Sequence, residues 1–214
     1  MAKLKIQTGA DNAILREKSV EVVDVGGSGS AGGKLPATGL KFDELVKLMK
    51  KVLIEEKGLG LAAPQAGENV RVVLCRMDAG SDQEVLFVMV NPEIVKMSAS
   101  AAELATVNKK LRVEKIGAND EIELPFGVEV DEEGCLSLPG QYIQVARAGA
   151  IVVRFKDGRG FLKGGAFGSR GGRGGRGAKA TDLLAVELEL HGMNARVVQH
   201  EVDHLNGVLI CDKG

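Results

Sequence analysis

The chain has 214 residues, 44% of them apolar and 27% charged, with a formal net charge of -1. That length and apolar content suffice for a buried core and set the expectation of one domain over residues 1–214, with flexible or inserted segments near 26–39, 97–128 and 158–180. A near-neutral balance excludes a global pull toward nucleic acid or an anionic membrane, so any basic partner surface must be local.

The stretch from Met1 to Ala10 lacks the apolar run of a secretory signal, and nothing approaches the ~18 apolar residues of a spanning helix. A cytoplasmic location and no membrane partner are expected. Cys75, Cys135 and Cys211 are odd in number and widely spaced, which suits reduced thiols. Residues 11–25 read as mixed and extended. They run into a glycine- and serine-rich loop, 26–33, that neither follows a clear strand nor opens a helix as a phosphate-binding turn would.

Over 42–56 the apolar residues Phe42, Leu45, Val46, Met49, Val52 and Leu53 recur at three- and four-residue steps, predicting an amphipathic helix that stops at Gly58. Gly58-Leu-Gly-Leu-Ala-Ala-Pro-Gln65 follows, a turn of small residues in which glycine would let backbone approach a ligand. Residues 70–75 and 85–90 read as strands, with Asp78 to Asp82 as the turn and Asn91-Pro92 closing the second. Cys75 and Cys211 lie in apolar surroundings and read as buried structural thiols. Residues 97–128 show no clean period and read as an insertion.

Cys135 differs from the other two thiols. It follows Gly134 and stands next to acids and a hydroxyl, which makes it a candidate metal ligand. The competing role, a nucleophile with a histidine base, needs an electropositive setting, whereas Asp131, Glu132 and Glu133 make this one acidic. Further on, 158–177 is rich in glycine and arginine and lies between strand-like runs at 150–156 and 183–190. Arg170, Arg173 and Arg176 recur every third residue, as in segments that bind RNA phosphates, although a solvated insertion has the same composition.

Gln199-His-Glu-Val-Asp-His204 carries two of the three histidines one helical turn apart, so both can direct a ring nitrogen at one cation. Glu201, beside them, can take a proton from water at an open coordination position. A third ligand is not supplied downstream. Only ten residues follow His204, their sole acid is Asp212, and Ile210 stands where a metzincin has its third histidine. Gly207 matches half of that extended motif, by chance or for turn geometry. The third ligand must therefore lie upstream. Asp203, on the same helix but off the histidine face, is expected to pair with Arg147 and brace the site.

Three stretches in this order, Gly58 to Gln65, Glu133-Gly-Cys-Leu-Ser137 and Gln199 to His204, resemble the motifs of the peptide deformylase family. Asn91-Pro-Glu93, Pro139-Gly-Gln-Tyr142 and His204-Leu-Asn-Gly207 agree as well. The resemblance implies an α+β fold, with mixed and antiparallel strands packed around a central helix that carries the His-Glu-x-x-His motif. It implies a hydrolase that removes the N-formyl group from formyl-methionyl nascent peptides and releases formate. By the same resemblance Cys135, His200 and His204 bind one divalent ion, typically Fe2+, although Zn2+, Ni2+ or Co2+ also suits such a donor set. Glu201 would be general base and later proton donor. Gln65 and the backbone N–H of Leu136 would stabilise the oxyanion, and Gly60 and Leu59 would align the peptide.

Three departures stand beside the match. Ala146 precedes Arg147 where many members have Pro, loosening the strand start. The chain stops at Gly214, where many bacterial members continue into a helix used in ribosome docking. The Gly-Arg segment is the third, and a transient ribosome contact through Arg170, Arg173 and Arg176 is expected of it. A metal-dependent peptidase would share the helix but gives no role to Cys135 or Gln65. An RNA-binding protein would explain the Gly-Arg segment but leaves the three motifs unexplained.

Overall fold

The computed structural model describes residues 4–23, 25, 34–114, 123–163 and 183–213. Arg170, Arg173 and Arg176, like the whole glycine-rich stretch 26–33, lie outside these residues. In chain order the elements are α1 (Ala13–Arg16), α2 (Phe42–Glu55), β1 (Gly60–Ala62) running into a 3-10 turn (Ala63–Ala66), β2 (Val72–Met77), β3 (Val85–Met97), α3 (Ala101–Glu114), β4 (Val128–Cys135), β5 (Leu138–Ala148), β6 (Ala150–Asp157), β7 (Ala185–His191) and α4 (Gly192–Leu205). Helices combine with antiparallel sheet. One sheet has the order β1-β2-β3-β6-β7 and the other is the β4-β5 hairpin. Parallel pairing among the described residues is confined to an isolated bridge between Val20 and Val70.

Strand β2 shows how the sequence builds two layers. Successive side chains of a strand point to opposite faces. Val72 and Leu74 join the cluster under α2 with Leu45, Met49 and Leu53, while Val73, Cys75 and Met77 join the cluster under α4 with Ala195, Val198 and Leu205. Apolar cover on both faces explains why β2 reads as a continuous hydrophobic run rather than an alternating one. Each fully buried Leu or Met contributes about 1.5–3 kcal/mol. Helix α4 reaches β1, β2 and β7 on one side and β5 on the other. Its residues therefore touch both sheets.

Several elements differ from the sequence-based expectation. Within 11–25 a short helix forms because Asn12 Oδ1 accepts from Ile14 N (3.3 Å) and Leu15 is fully buried. Strand β3 does not end at Asn91-Pro92. Asn91 takes a left-handed φ of 51° at a register shift, its side chain bonds the N–H and C=O of Val22, and the strand continues to Met97. The stretch 58–65 is a short strand and a 3-10 turn, not a turn alone. The expected insertion 97–128 contains α3, opened by a reciprocal cap in which Glu103 Oε2 accepts from Ser100 N (2.7 Å) and Ser100 Oγ accepts from Glu103 N (3.2 Å). Ala146 lies inside β5, not at its start. Cys75 is buried as expected, and burial pushes its thiol well above the ordinary value. Cys211 is only half-buried, within 3.7 Å of Arg16 Nη2, because the turn that carries it lies at the surface.

Candidate active site

The i, i+4 spacing on α4 brings the rings of His200 and His204 to 5.0 Å between centroids. Cys135 closes β4 at a register shift between Gly134 and Cys135, an irregularity of the kind that re-aims a side chain out of a ladder. Its Sγ lies 3.2 Å from His204 Nε2, and the donor atoms of Cys135, His200 and His204 all lie within 4.8 Å of one another. A tetrahedral ion with bonds of ~2.0–2.3 Å holds its donors ~3.3–3.6 Å apart. The Cys135–His204 separation is close to that spacing, and a sulfur with two imidazoles is a donor set of the kind that holds a divalent metal.

Glu133 organises the far side of this set. Its Oε1 accepts from Arg147 Nε (2.8 Å) and Arg196 Nη1 (2.8 Å), and its Oε2 accepts from Arg147 Nη2 (2.8 Å) and bonds His200 Nδ1 (3.0 Å). With Nδ1 engaged, His200 keeps Nε2 for a metal. Arg147 also pairs with Asp203, as the helix phase implied, and Lys213 reaches Asp203 at 3.0 Å. Burial alone would raise the Glu133 carboxyl, but hydrogen bonds from Arg147 and His200 and the guanidinium charge hold it well below the usual carboxylate range. The setting of Cys135 is therefore not acidic in the way the run of three acids suggested, because two arginines offset Glu133.

The two histidines are driven apart. Burial would lower His200, but hydrogen bonds to Cys135 and Glu133 raise it to about 10. For His204, burial and then the charge of His200 push the imidazole well below its ordinary value. Burial pushes the Glu201 carboxyl up to about 7, against the pull of His200. Glu201 is 3% exposed and its Oε2 has no hydrogen-bond partner. Gly60 lies directly over it, and a Cβ at that position would fall 2.3 Å from Glu201 Oε1. Only glycine admits the carboxylate there. At the other end of the helix a Cβ on Gly207 would meet Arg16 O at 2.3 Å, so this glycine serves close backbone packing rather than a metal motif.

Gln65 is fixed from behind. Its Oε1 accepts from Ala62 N (2.8 Å), which turns Nε2 toward Ser137 Oγ (3.2 Å) and Cys135 Sγ (3.7 Å). Leu59, Gly60, Gln65, Cys135, Leu136, His200 and Glu201 line one cleft of about 420 Å³, and His204 lies beneath it at 1% exposure. The eight residues that the resemblance assigns to metal, catalysis and peptide alignment thus meet in one place. Residues not singled out also belong to it. Glu133 and Arg196 support the histidines, while Tyr142, Met193 and Val197 line the mouth. Arg196 lies one turn before His200, a spacing that could have revealed it.

The profile of the polypeptide deformylase family matches residues 5–162 and 179–214, so the gap falls on the Gly-Arg segment. The peptide deformylase of Dictyoglomus thermophilum is 33% identical over 177 residues, covering 81% of this chain and 79% of that one. The peptide deformylase of Prochlorococcus marinus strain SARG is 30% identical over 170 residues, covering 79% of this chain but 59% of that one. The chain therefore spans less than two thirds of that relative's length. Among solved structures, the class I type b peptide deformylase of Acinetobacter baumannii with bound Met-Ala-Ser superposes with a TM-score of 0.61 at 25% identity, covering 100% of this chain and 99% of that one. The peptide deformylase of Thermotoga maritima gives 0.60 at 27%, covering 100% and 98%.

Proposed function

The chain belongs to the polypeptide deformylase family, and from that premise we propose that it hydrolyses the N-formyl group of formyl-methionyl nascent peptides, releasing formate and a free amine. The observation that carries this reading is the convergence of the Cys135, His200 and His204 donors beside the unpartnered Glu201 Oε2 and the oriented Gln65 amide. When bound by those three residues, a divalent ion, Fe2+ in our reading and otherwise Zn2+, Ni2+ or Co2+, supplies Lewis acidity that can bring the pKa of water to ~7.

The chain's own groups do the rest. Glu201 accepts the proton that water gives up as its oxygen attacks the formyl carbon, and returns it to the departing amine nitrogen as the C–N bond breaks. Gln65 Nε2 and the Leu136 N–H donate to the oxygen that becomes negative. Gly60 leaves room for Glu201, and the backbone of Leu59 and Gly60 aligns the peptide. Leu59, Met193 and Val197 offer an apolar wall for a methionyl side chain. Met-Ala-Ser, bound by the Acinetobacter relative, is a peptide of the expected product type. Such a substrate places the enzyme in the cytoplasm, near translating ribosomes.

Cys135→Ala is expected to lose stoichiometric metal on elemental analysis, together with activity. Formate should come from formyl-Met-Ala-Ser and not from acetyl-Met-Ala-Ser. A variant that kept both metal and turnover would overturn the ligand assignment. Cleavage inside an unblocked longer peptide, with no formate released, would put a peptidase in its place.

The Gly-Arg segment, in this reading, makes a transient ribosomal RNA contact through Arg170, Arg173 and Arg176, a contact that weakens steeply with salt. Deleting 169–177 is expected to lower ribosome co-sedimentation and leave turnover of a short formylated peptide intact. Equal co-sedimentation with and without the segment would make it a passive insertion.

A further inference from the structure

Among the described residues, strand β5 pairs with β4 on one edge and with no other strand on the second. Alternate residues of a strand direct N–H and C=O to the same side. On the open edge those of Ala146 and Ala148 are taken by side-chain amides. Asn108 Oδ1 accepts from Ala146 N at 2.8 Å and Asn108 Nδ2 donates to Ala146 O at 3.3 Å. Gln199 Oε1 accepts from Ala148 N at 3.0 Å and Gln199 Nε2 donates to Ala148 O at 2.8 Å. Two closed amide pairs therefore bracket Arg147, one from α3 and one from α4.

Arg147 is the residue whose guanidinium holds both oxygens of Glu133, and Glu133 in turn holds His200 Nδ1. Gln199 is on the histidine helix itself and can be placed by it. Asn108 is not. It belongs to α3, does not line the cleft and is 7% exposed. Val107 and Leu111 already anchor that helix in the core. A buried amide is costly unless bonded, and both bonds of Asn108 go to the single residue before Arg147.

We propose that Asn108 is a positioning residue for the metal centre: by fixing the β5 backbone at Ala146 it holds the Arg147–Glu133 pair that orients His200. The inference rests on the reading that Cys135, His200 and His204 bind the ion. Loss of the amide frees the strand edge next to Arg147, the bidentate contact with Glu133 loosens, and His200 loses part of its orientation.

The test compares Asn108→Ala, Asn108→Asp and Val107→Ala in full-length metal-loaded protein. The aspartate can accept from Ala146 N but cannot donate to Ala146 O. Val107→Ala weakens the same helix through packing and leaves the amide pair intact. Three quantities are read: the rate of metal loss to a chelator, the visible absorption of the Co2+-substituted protein, and Tm. Asn108→Ala is expected to lose metal roughly tenfold faster and to shift the cobalt bands, as outer-shell changes do. Asn108→Asp should fall between it and the wild type, and Val107→Ala should lower Tm with no change in metal loss. Should Asn108→Ala fail to fold, Asn108→Asp carries the same comparison. Wild-type metal loss and cobalt bands in the asparagine variants would overturn the proposal. So would equally fast loss from Val107→Ala at a matched fall in Tm. Wild-type protein that binds no stoichiometric metal would overturn the underlying reading of the site, an outcome visible before any variant is made.

Discussion

Replacing Glu201 with glutamine is expected to lower formate release from formyl-Met-Ala-Ser by ~100- to 10,000-fold at unchanged metal content. Glutamine keeps the shape of the side chain under Gly60, where no larger group fits, so the helix and its histidines should stay in place. What it removes is the capacity to take a proton. Glu201 is suited to that task because burial raises its carboxyl to about 7, near the working pH, and because Oε2 is committed to no other donor. Metal analysis and steady-state kinetics on the same preparation separate the two effects. Turnover within a few-fold of wild type would remove Glu201 from the reaction, and loss of the metal would show it to be a support instead.

The second large effect concerns stability as much as chemistry. Glu133→Gln should destabilise the protein by about 3–5 kcal/mol, since it leaves the Arg196 guanidinium buried without a carboxylate and Arg147 with Asp203 alone. It should also weaken metal retention by ~10- to 100-fold, because His200 Nδ1 loses its partner. Urea unfolding of the metal-free protein measures the first quantity and competition with a chelator the second. A loss below about 1 kcal/mol, the range of exposed ion pairs, would mean that the arginines find other partners and that Glu133 is not the organising group.

Much of this arrangement was legible from residue types and spacing. The three-four rhythm from Phe42 to Leu53 marks α2, and the one-turn separation of His200 and His204 marks a shared helix face. The lack of a downstream ligand points upstream, and the phase of Asp203 leads to Arg147. What escaped depends on tertiary context. Ser100 and Glu103 form a cap that can be read from sequence, but Leu104, Val107 and Leu111 make too narrow an apolar stripe to announce α3. Asn91-Pro92 looks like the end of a strand, and only the two hydrogen bonds exchanged between the Asn91 amide and the Val22 backbone reveal why β3 passes through it. Counting acids near Cys135 misjudged the local charge, because Arg147 and Arg196 reach Glu133 from distant positions in the chain.

The four contacts of Glu133 have one more consequence, which follows from counting lone pairs. An ionised carboxylate offers about four acceptor directions, two on each oxygen. Arg147 Nε and Arg196 Nη1 share Oε1, while Arg147 Nη2 and His200 Nδ1 share Oε2. Glu133 is thus saturated: close as it is to the donor set, it has no electron pair left to turn inward. Among the described residues the one buried carboxylate oxygen without a partner is Oε2 of Glu201. The two acids next to His200 are therefore kept in separate trades by valence alone, one fully subscribed and one vacant, which under the proposed function leaves a position beside Cys135, His200 and His204 for a reactant.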